Sequence, residues 1–449
     1  MQALYYMREK LKNKHFLSLA GNGIMSVLGM VTMALLYRVL SLSDIGVWVF
    51  FQSTVLLVDT FRSGFLTTAF IKFYAGASKE RSNEVAGAAW YIALCITGIL
   101  ALINLPFYLL LTHTGDAGLG LFFKWFGITY IFTLPSFVAT CVLQGQQRFD
   151  RLLYIRFINQ GSFILIVIIL MIMQMVSLQN IVYAYLGSAL LTSVIALIMG
   201  WSSIHSFTSR TKASIKEIFH FGKYSVGTTL SSNLFRSSDT FIINFMLGAP
   251  ALAIYNIGQR LMEIVEIPLR SFAATGMPVL SAAYNRNNSK EVISILKKYA
   301  GMLTVALLPV FVGAVLFADI AVAIIGGKQY AGTEAANVLR IFMTFALLYP
   351  ADRFFALTID VIHKPRINFY KVLLMLAGNI IADFAGIWLF GNIYGIALAT
   401  VVPILIGVLI GNRALQRYEP FKFFSIFTTG YSEVLQLIKQ LKRKKTAFV

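Results

Sequence analysis

Apolar runs recur along this chain from residue 16 to residue 412, separated by short polar connections. A hydrocarbon core about 30 Å thick needs roughly 20 apolar residues per helical crossing. On that measure the pattern predicts an all-α integral membrane protein with twelve transmembrane helices, over residues 16–40, 45–69, 85–111, 121–143, 152–174, 180–201, 222–247, 251–276, 299–325, 335–361, 370–390 and 393–412. The first run is too long for a signal-peptide core and no small-residue cleavage site follows it, so it reads as a retained helix.

Between the runs, basic residues fall on alternate connections. Twenty-nine Lys and Arg lie at the N-terminus, in every second connection and in the tail from Arg413, whereas the six intervening connections hold only Arg38 and Lys328. This is the positive-inside pattern, and it places both termini in the cytoplasm of a cell inner membrane. The net charge of +19 therefore has its explanation in topology and anionic membrane lipid, and no nucleic-acid partner is expected.

The longest connection, residues 202–221, is rich in Ser, Thr and Lys and reads as a cytoplasmic linker. It separates an N-terminal six-helix lobe, residues 1–201, from a C-terminal one, residues 222–412, followed by a basic amphipathic cytoplasmic tail, residues 413–449. In the tail, Tyr431, Val434, Leu435, Ile438 and Leu441 have helical spacing ahead of Lys442-Arg443-Lys444-Lys445, which predicts a helix on the inner leaflet, dispensable for transport. Shifting the chain by 208 positions aligns Arg62-Ser63 with Arg270-Ser271, Thr67 with Thr275, Ala75 with Ala283 and Tyr91 with Tyr299. Lobes with even numbers of spans would be parallel repeats, an arrangement known in transporters, with substrate between them.

Composition fits a membrane protein, with 58% hydrophobic residues, and offers little for catalysis. Cys95 and Cys141 lie inside apolar runs and read as small hydrophobes. The histidines have no metal-ligand spacing, and Gly222-Lys223-Tyr224 lacks the glycines and Ser/Thr of a phosphate loop. No enzyme activity, metal or cofactor is expected. Seven prolines fall within or beside the spans, at Pro106, Pro135, Pro268, Pro278, Pro309, Pro350 and Pro403, and each removes a backbone hydrogen bond. Gly407 and Gly411 form a G-x-x-x-G pair that marks close helix packing.

An ionisable residue inside the bilayer faces a cavity or another helix, because the hydrocarbon disfavours it by several kcal/mol or more. At roughly 100° per residue, Arg260, Glu263, Glu266 and Arg270 share an arc of about 120°, and Gln52, Asp59 and Arg62 one of about 80°. The internal repeat maps Gln52, Asp59 and Arg62 onto, or next to, Arg260, Glu266 and Arg270. Asn233, Arg236, Ser237, Thr240 and Asn244 share a third arc of about 100°, with Asp239 just off it. One reading is a water-filled cleft in which Arg62, Arg236, Arg260 and Arg270, helped by Gln52 and Asn233, bind an anionic group. The other is that Asp59 with Arg62, and Arg236 with Asp239, are structural pairs one helical turn apart, or that Arg62 or Arg270 reaches the inner interface. Asp59, Glu263, Glu266, Asp360 and Asp383 are candidate sites for a coupling H+ or Na+. Asp383 has no basic residue near it in its own run, yet an ion pair with Arg353 or Arg340 is open to it.

Three short motifs carry a resemblance over nearly the whole chain: Leu40-Ser41-Leu42-Ser43-Asp44-Ile45-Gly46 at the second span, Gln144-Gly145-Gln146-Gln147-Arg148-Phe149 after the fourth, and Ala253-Ile254-Tyr255 opening the eighth. In these the chain resembles the polysaccharide-export flippases, the O-antigen and capsule lipid-linked-oligosaccharide transporters of the MATE-like MOP superfamily. Ile45 departs from the family, where an aromatic residue usually precedes that glycine. The resemblance implies two pseudo-symmetric six-helix bundles around a V-shaped cleft that alternates its access. It also implies a substrate, an oligosaccharide on undecaprenyl pyrophosphate carried for surface polysaccharide assembly, and a polysaccharide polymerase as a partner. The related lipid II flippases usually carry two more helices, for which no sequence is present. Alternative readings are a cation-coupled multidrug antiporter of the same fold, whose cleft should be more acidic, and a membrane glycosyltransferase, polymerase or ligase, whose usual large outer loop has no counterpart here.

Overall fold

A computed structural model describes residues 14–110 and 115–446. Arg8, Lys10 and Lys12 of the basic N-terminus, and part of the expected outer connection at residues 112–120, lie outside them. The described secondary structure is wholly helical and packs as two compact units, one of residues 1–244 with 248–253, the other of residues 245–247 with 254–449.

The helices of the first unit are α1 (Lys14–Val39), α2 (Leu42–Tyr74), α3 (Lys79–Leu110), α4 (Ala117–Gly145), α5 (Phe149–Ile172), α6 (Leu178–Ile198) and most of α7 (Lys212–Leu247). Most of the second unit is built from α8 (Ala249–Asn285), α9 (Ser289–Leu316), α10 (Ala318–Gly326), α11 (Ala335–Phe345), α12 (Tyr349–Val361), α13 (Pro365–Phe390), α14 (Ile393–Ala399), α15 (Val401–Gln416) and α16 (Ser425–Thr446). Among the described residues nine segments are long and apolar enough to cross a membrane: α2 to α6, α9, α11 with α12, α13, and α14 with α15. The chain is a multi-pass membrane protein. The other three expected spans lie on α1, whose apolar stretch is the shorter Gly23–Val39, and on α7 and α8. These last two are interrupted by the polar residues that drew notice in the sequence.

Two expected spans break at proline. Pro350 has no N–H for the Ala346 carbonyl, which accepts from Tyr349 in a tighter 3-10 turn at Ala346–Leu348. Pro403 likewise leaves the Ala399 carbonyl without its donor where α14 gives way to α15. The five other prolines stay within continuous helices. The expected span at 299–325 also breaks, at Phe317, where Asp319 opens α10 and pairs with Arg340 of α11.

The three motifs have packing roles. Ser41 caps α2, accepting from the Asp44 N–H at 3.1 Å and donating to its carboxylate at 2.7 Å, a reciprocal cap that fixes where the helix starts. Gly46 lies against the chain at Ala249, where a Cβ would stand 1.8 Å from the carbonyl oxygen, so no other residue fits. After α4, Gln147 takes φ of 55° and the Arg148 N–H reaches back to Leu143 O at 2.8 Å, closing the helix end. Tyr255 is fully buried, edge-on to Phe342 at 5.3 Å.

Residues 202–221 do not hang free. The Trp90 indole donates to Ser202 O at 2.7 Å, and Ser206 to Asn83 at 3.2 Å. Arg81 donates to Glu84 at 2.9 Å and to Ser214 at 2.7 Å, and pairs with Glu217. The segment is thus strapped along α3. Beyond it, α7 runs antiparallel to α2, with Asn233 donating to Thr60 at 2.7 Å and Phe241 edge-on to Phe50 at 5.4 Å. Residues 222–244, expected in the C-terminal lobe, therefore pack with the first unit.

The tail is helical, but it is docked. In the second unit α16 lies antiparallel to α9, with Ile426 fully buried, Lys298 paired to Glu433 at 2.6 Å, and Gly301 and Gly430 in backbone contact. The helix expected from the sequence is thus held along one side by α9, which its removal would uncover. Gly407 and Gly411 of α15 admit Asp352 and Phe355 of α12, the close packing expected of that pair.

A Cβ on Gly430 would lie 2.1 Å from the Gly301 carbonyl carbon, so Gly430→Leu should destabilise the protein by about 1–3 kcal/mol, the usual range for overpacking. The melting temperature of purified protein should fall, whereas Gly313→Leu, elsewhere on α9 with open space beside it, should leave it unchanged.

Candidate functional site

The first charge expected to bind substrate is the most deeply committed to structure. Asp59 and Arg62 lie one turn apart on α2, and Arg62 is 3% exposed. Its Nη2 is 2.7 Å from Asp59 Oδ1, and its Nε donates to the same oxygen at 3.0 Å. Nη1 donates to the Tyr130 carbonyl at 3.2 Å and Nη2 to Thr133 Oγ1 at 3.0 Å, both on α4. The guanidinium lies over the Phe137 ring, 4.4 Å from its centroid. Its guanidinium is thus bonded within the fold, and Arg62 joins α2 to α4.

The stretch of α4 that receives it is itself opened. Pro135 offers no N–H, and Ser193 of α6 inserts its hydroxyl one residue further on, donating to Phe132 O at 2.5 Å and accepting from the Ser136 N–H at 3.2 Å. The side chain replaces a helical hydrogen bond.

The arginines of α7 and α8 are placed differently. Arg236 is exposed, while Asn233, one turn earlier, is spent on Thr60. Gln52 is half-buried on α2. On α8, Arg260 donates to Glu263 at 2.9 Å with its side chain 36% exposed, and its Nε is buried without a hydrogen-bond partner. Arg270 pairs with Glu266 one turn earlier, with its side chain 53% exposed. Glu263 and Glu266 are therefore partners of arginines and not lone carboxylates. Positions related by the internal repeat have opposite environments, Arg62 buried and Arg270 exposed.

In the second unit Asp383 is fully buried and accepts from Asn379 at 3.0 Å. Arg340, one of its two prospective partners, lies elsewhere: it donates to Val315 O at 3.1 Å and to Asn337 at 2.6 Å, and pairs with Asp319. Asp360 is exposed and accepts from Asn368 at 2.7 Å. Sequence reasoning missed the pair between Asp352 of α12 and Lys371 of α13, at 2.8 Å with Lys371 2% exposed. The signal in the sequence for burial of Lys371 is its position six residues inside α13. Among the described residues no group of three or more His, Cys, Asp or Glu could hold a metal ion.

Residues 35–335 match the family model described as polysaccharide biosynthesis protein. The chain belongs to that family. The matched region holds all three motifs and the polar faces of α7 and α8, but not Asp352, Asp360, Lys371 or Asp383. A relative from Haloferax volcanii, named "Probable low-salt glycan biosynthesis flippase Agl15", is 24% identical over 243 residues, which cover 54% of this chain and 50% of that protein. The alignment thus spans about half the length of that relative. Among solved structures, an inward-facing multidrug resistance MATE family transporter of the MOP superfamily superposes with a TM-score of 0.74 at 15% identity, over 88% of this chain and 95% of that one. The lipid II flippase MurJ in an inward closed conformation gives 0.72 at 17%, over 94% and 91%. The fold of this family member is that of the MOP superfamily.

Removing a buried partner strands the other, so Arg62→Ala should destabilise the purified protein by about 3–5 kcal/mol. Arg270→Ala removes a surface pair worth roughly 0–1 kcal/mol. Thermal unfolding in detergent should separate the two variants; equal melting temperatures would contradict the assignment of Arg62 as a fastener.

Proposed function

We propose that the chain is a flippase that carries oligosaccharide repeat units linked to an isoprenyl pyrophosphate across the cytoplasmic membrane by alternating access, supplying surface polysaccharide assembly. The observation that carries this reading is the set of accessible guanidinium groups on α7 and α8, Arg236, Arg260 and Arg270. A charged group on such helices is not stable against lipid, so it faces water, a cargo anion or a carboxylate such as Glu263 or Glu266, and the exposed part of a guanidinium can pair with phosphate oxygens through charge-assisted hydrogen bonds. Family membership, and relatives named for glycan and lipid II flipping, support the same cargo class.

In this reading Arg62 holds the scaffold of the first unit, and accessible arginines in each unit, Arg236 in the first and Arg260 and Arg270 in the second, are available to anionic cargo. Gln52, half-buried on α2, supplies a hydrogen-bonding group of the kind that suits sugar. Asp383, fully buried beside Asn379, is the carboxylate best suited to take up H+ or Na+. Both termini face the cytoplasm of the inner membrane, supported by the one-sided distribution of Lys and Arg, and a polysaccharide polymerase would receive the product. A cation-coupled multidrug antiporter is the second reading, favoured by the fold shared with a multidrug transporter. Three accessible arginines against two carboxylates, Glu263 and Glu266, leave these five positions net cationic, which argues against cationic cargo.

Charge should outweigh shape at these positions. In cells lacking the native gene, Arg236→Lys, Arg260→Lys and Arg270→Lys should retain partial glycan export, while Ala at the same positions lowers it at least tenfold and Glu abolishes it, at equal protein level in the membrane. Wild-type export by all three alanine variants and by their combination would overturn the role given to these arginines.

A further inference from the structure

The tail helix α16 has two faces, and only one is used within the chain. At roughly 100° per residue, Ile426, Gly430 and Glu433 cluster on one side of the helix, Tyr431 and Leu435 lie about 150° away, and Phe424 stands just before its first residue, Ser425. The first set is the side locked to α9 by the Gly301–Gly430 contact and the Lys298–Glu433 pair. The second set is open, with Phe424 77%, Tyr431 59% and Leu435 38% exposed.

What covers the open face follows from where the helix is held. Gly301 is the thirteenth residue of α9, about 18 Å from that helix's first turn at 1.5 Å per residue, and α9 is one of the membrane-crossing segments. From Gly301 the partner helix runs back toward Lys298, so α16 begins beside the apolar stretch of α9 and runs toward its polar start. Two hydroxyls beside the open face turn inward onto their own helix, Thr428 donating to Ser425 O at 3.2 Å and Ser432 to Thr429 O at 2.8 Å, which leaves them needing no water. Four consecutive basic residues, 442–445, follow at the far end of the helix, preceded by the exposed Lys439.

We propose that this face of α16 docks into one leaflet of the bilayer, with Phe424, Tyr431 and Leu435 among the acyl chains and Lys439 with the basic run on anionic lipid headgroups. An apolar stripe that ends in a polybasic segment fits an anionic lipid surface, where burial and headgroup attraction act together. The helix thereby joins the second unit to the surrounding lipid, one side bonded to α9 and the other solvated by the membrane. The inference is independent of the cargo proposed above.

The test places a nitroxide at Phe424→Cys, Tyr431→Cys or Leu435→Cys in full-length protein whose Cys95 and Cys141 are replaced by alanine, reconstituted in vesicles of phosphatidylethanolamine and phosphatidylglycerol. Collision with oxygen, which concentrates in lipid, should exceed collision with a water-soluble nickel chelate at all three sites. A nickel excess would mean that the face is in water, and low accessibility to both would mean that protein covers it, whether a second copy or another contact; either overturns the proposal. Replacing the four basic residues 442–445 with glutamine should raise nickel accessibility at Leu435, the site nearest the basic run. No shift there would overturn the part assigned to headgroup charge.

Discussion

A charge surrounded by hydrocarbon or packed protein must be neutralised where it stands, and this constraint orders much of the structure. Arg62 meets it with a carboxylate on its own helix and a carbonyl, a hydroxyl and an aromatic face on α4. Arg340 meets it by gathering the end of α9, the start of α10 and its own helix α11. Lys371 meets it with Asp352 on the neighbouring helix, which the small Gly407 allows to approach. Arg62 and Lys371, both buried, thereby become fasteners within their own units, and the half-buried Arg340 ties three helices together at the same cost to its freedom. Arg236, Arg260 and Arg270 are the contrast, since they remain accessible on helices interrupted by polar residues.

Much of the architecture was legible in the sequence because hydropathy, turn chemistry and proline act locally. The helices, the Ser41–Asp44 cap, the break at Pro350 and the pairing of Asp59 with Arg62 one turn away all follow from neighbours within a few positions. The environment of a charge is another matter. Arg62 and Arg270 align when the sequence is shifted by 208 positions, yet Arg62 is bonded to Tyr130 and Thr133, about seventy residues away, which no helical wheel can reveal. The docking of α16 was missed for a related reason: amphipathicity marks an apolar face without saying whether protein or lipid covers it. Gly430, a poor helix former in mid-helix, was the available signal.

The division of labour among the charges gives the family assignment physical content. Under the proposed function a charged lipid would meet cations that stay accessible, held in place by a framework of buried pairs. The fasteners provide the framework, and the accessible arginines of α7 and α8 lie within the region that carries the family match. The strap of residues 202–221 along α3 and the docked α16 are built on connections that hydropathy alone would treat as passive. Both replace flexible chain by packed structure at a boundary between helices, and both rest on specific contacts, Trp90 with Ser202 in one and Gly301 with Gly430 in the other.

Transport of the proposed cargo by the purified protein tests this account most directly. Lipid-linked oligosaccharide is incorporated into vesicles with the protein, its glycan is removed from the outer leaflet by a glycosidase, and the fraction that becomes accessible afterwards is followed in time. The account predicts continued loss of the protected pool, faster than in protein-free vesicles. A protected pool that stays constant in the presence of folded protein, while the same vesicles move cationic drugs, would contradict it.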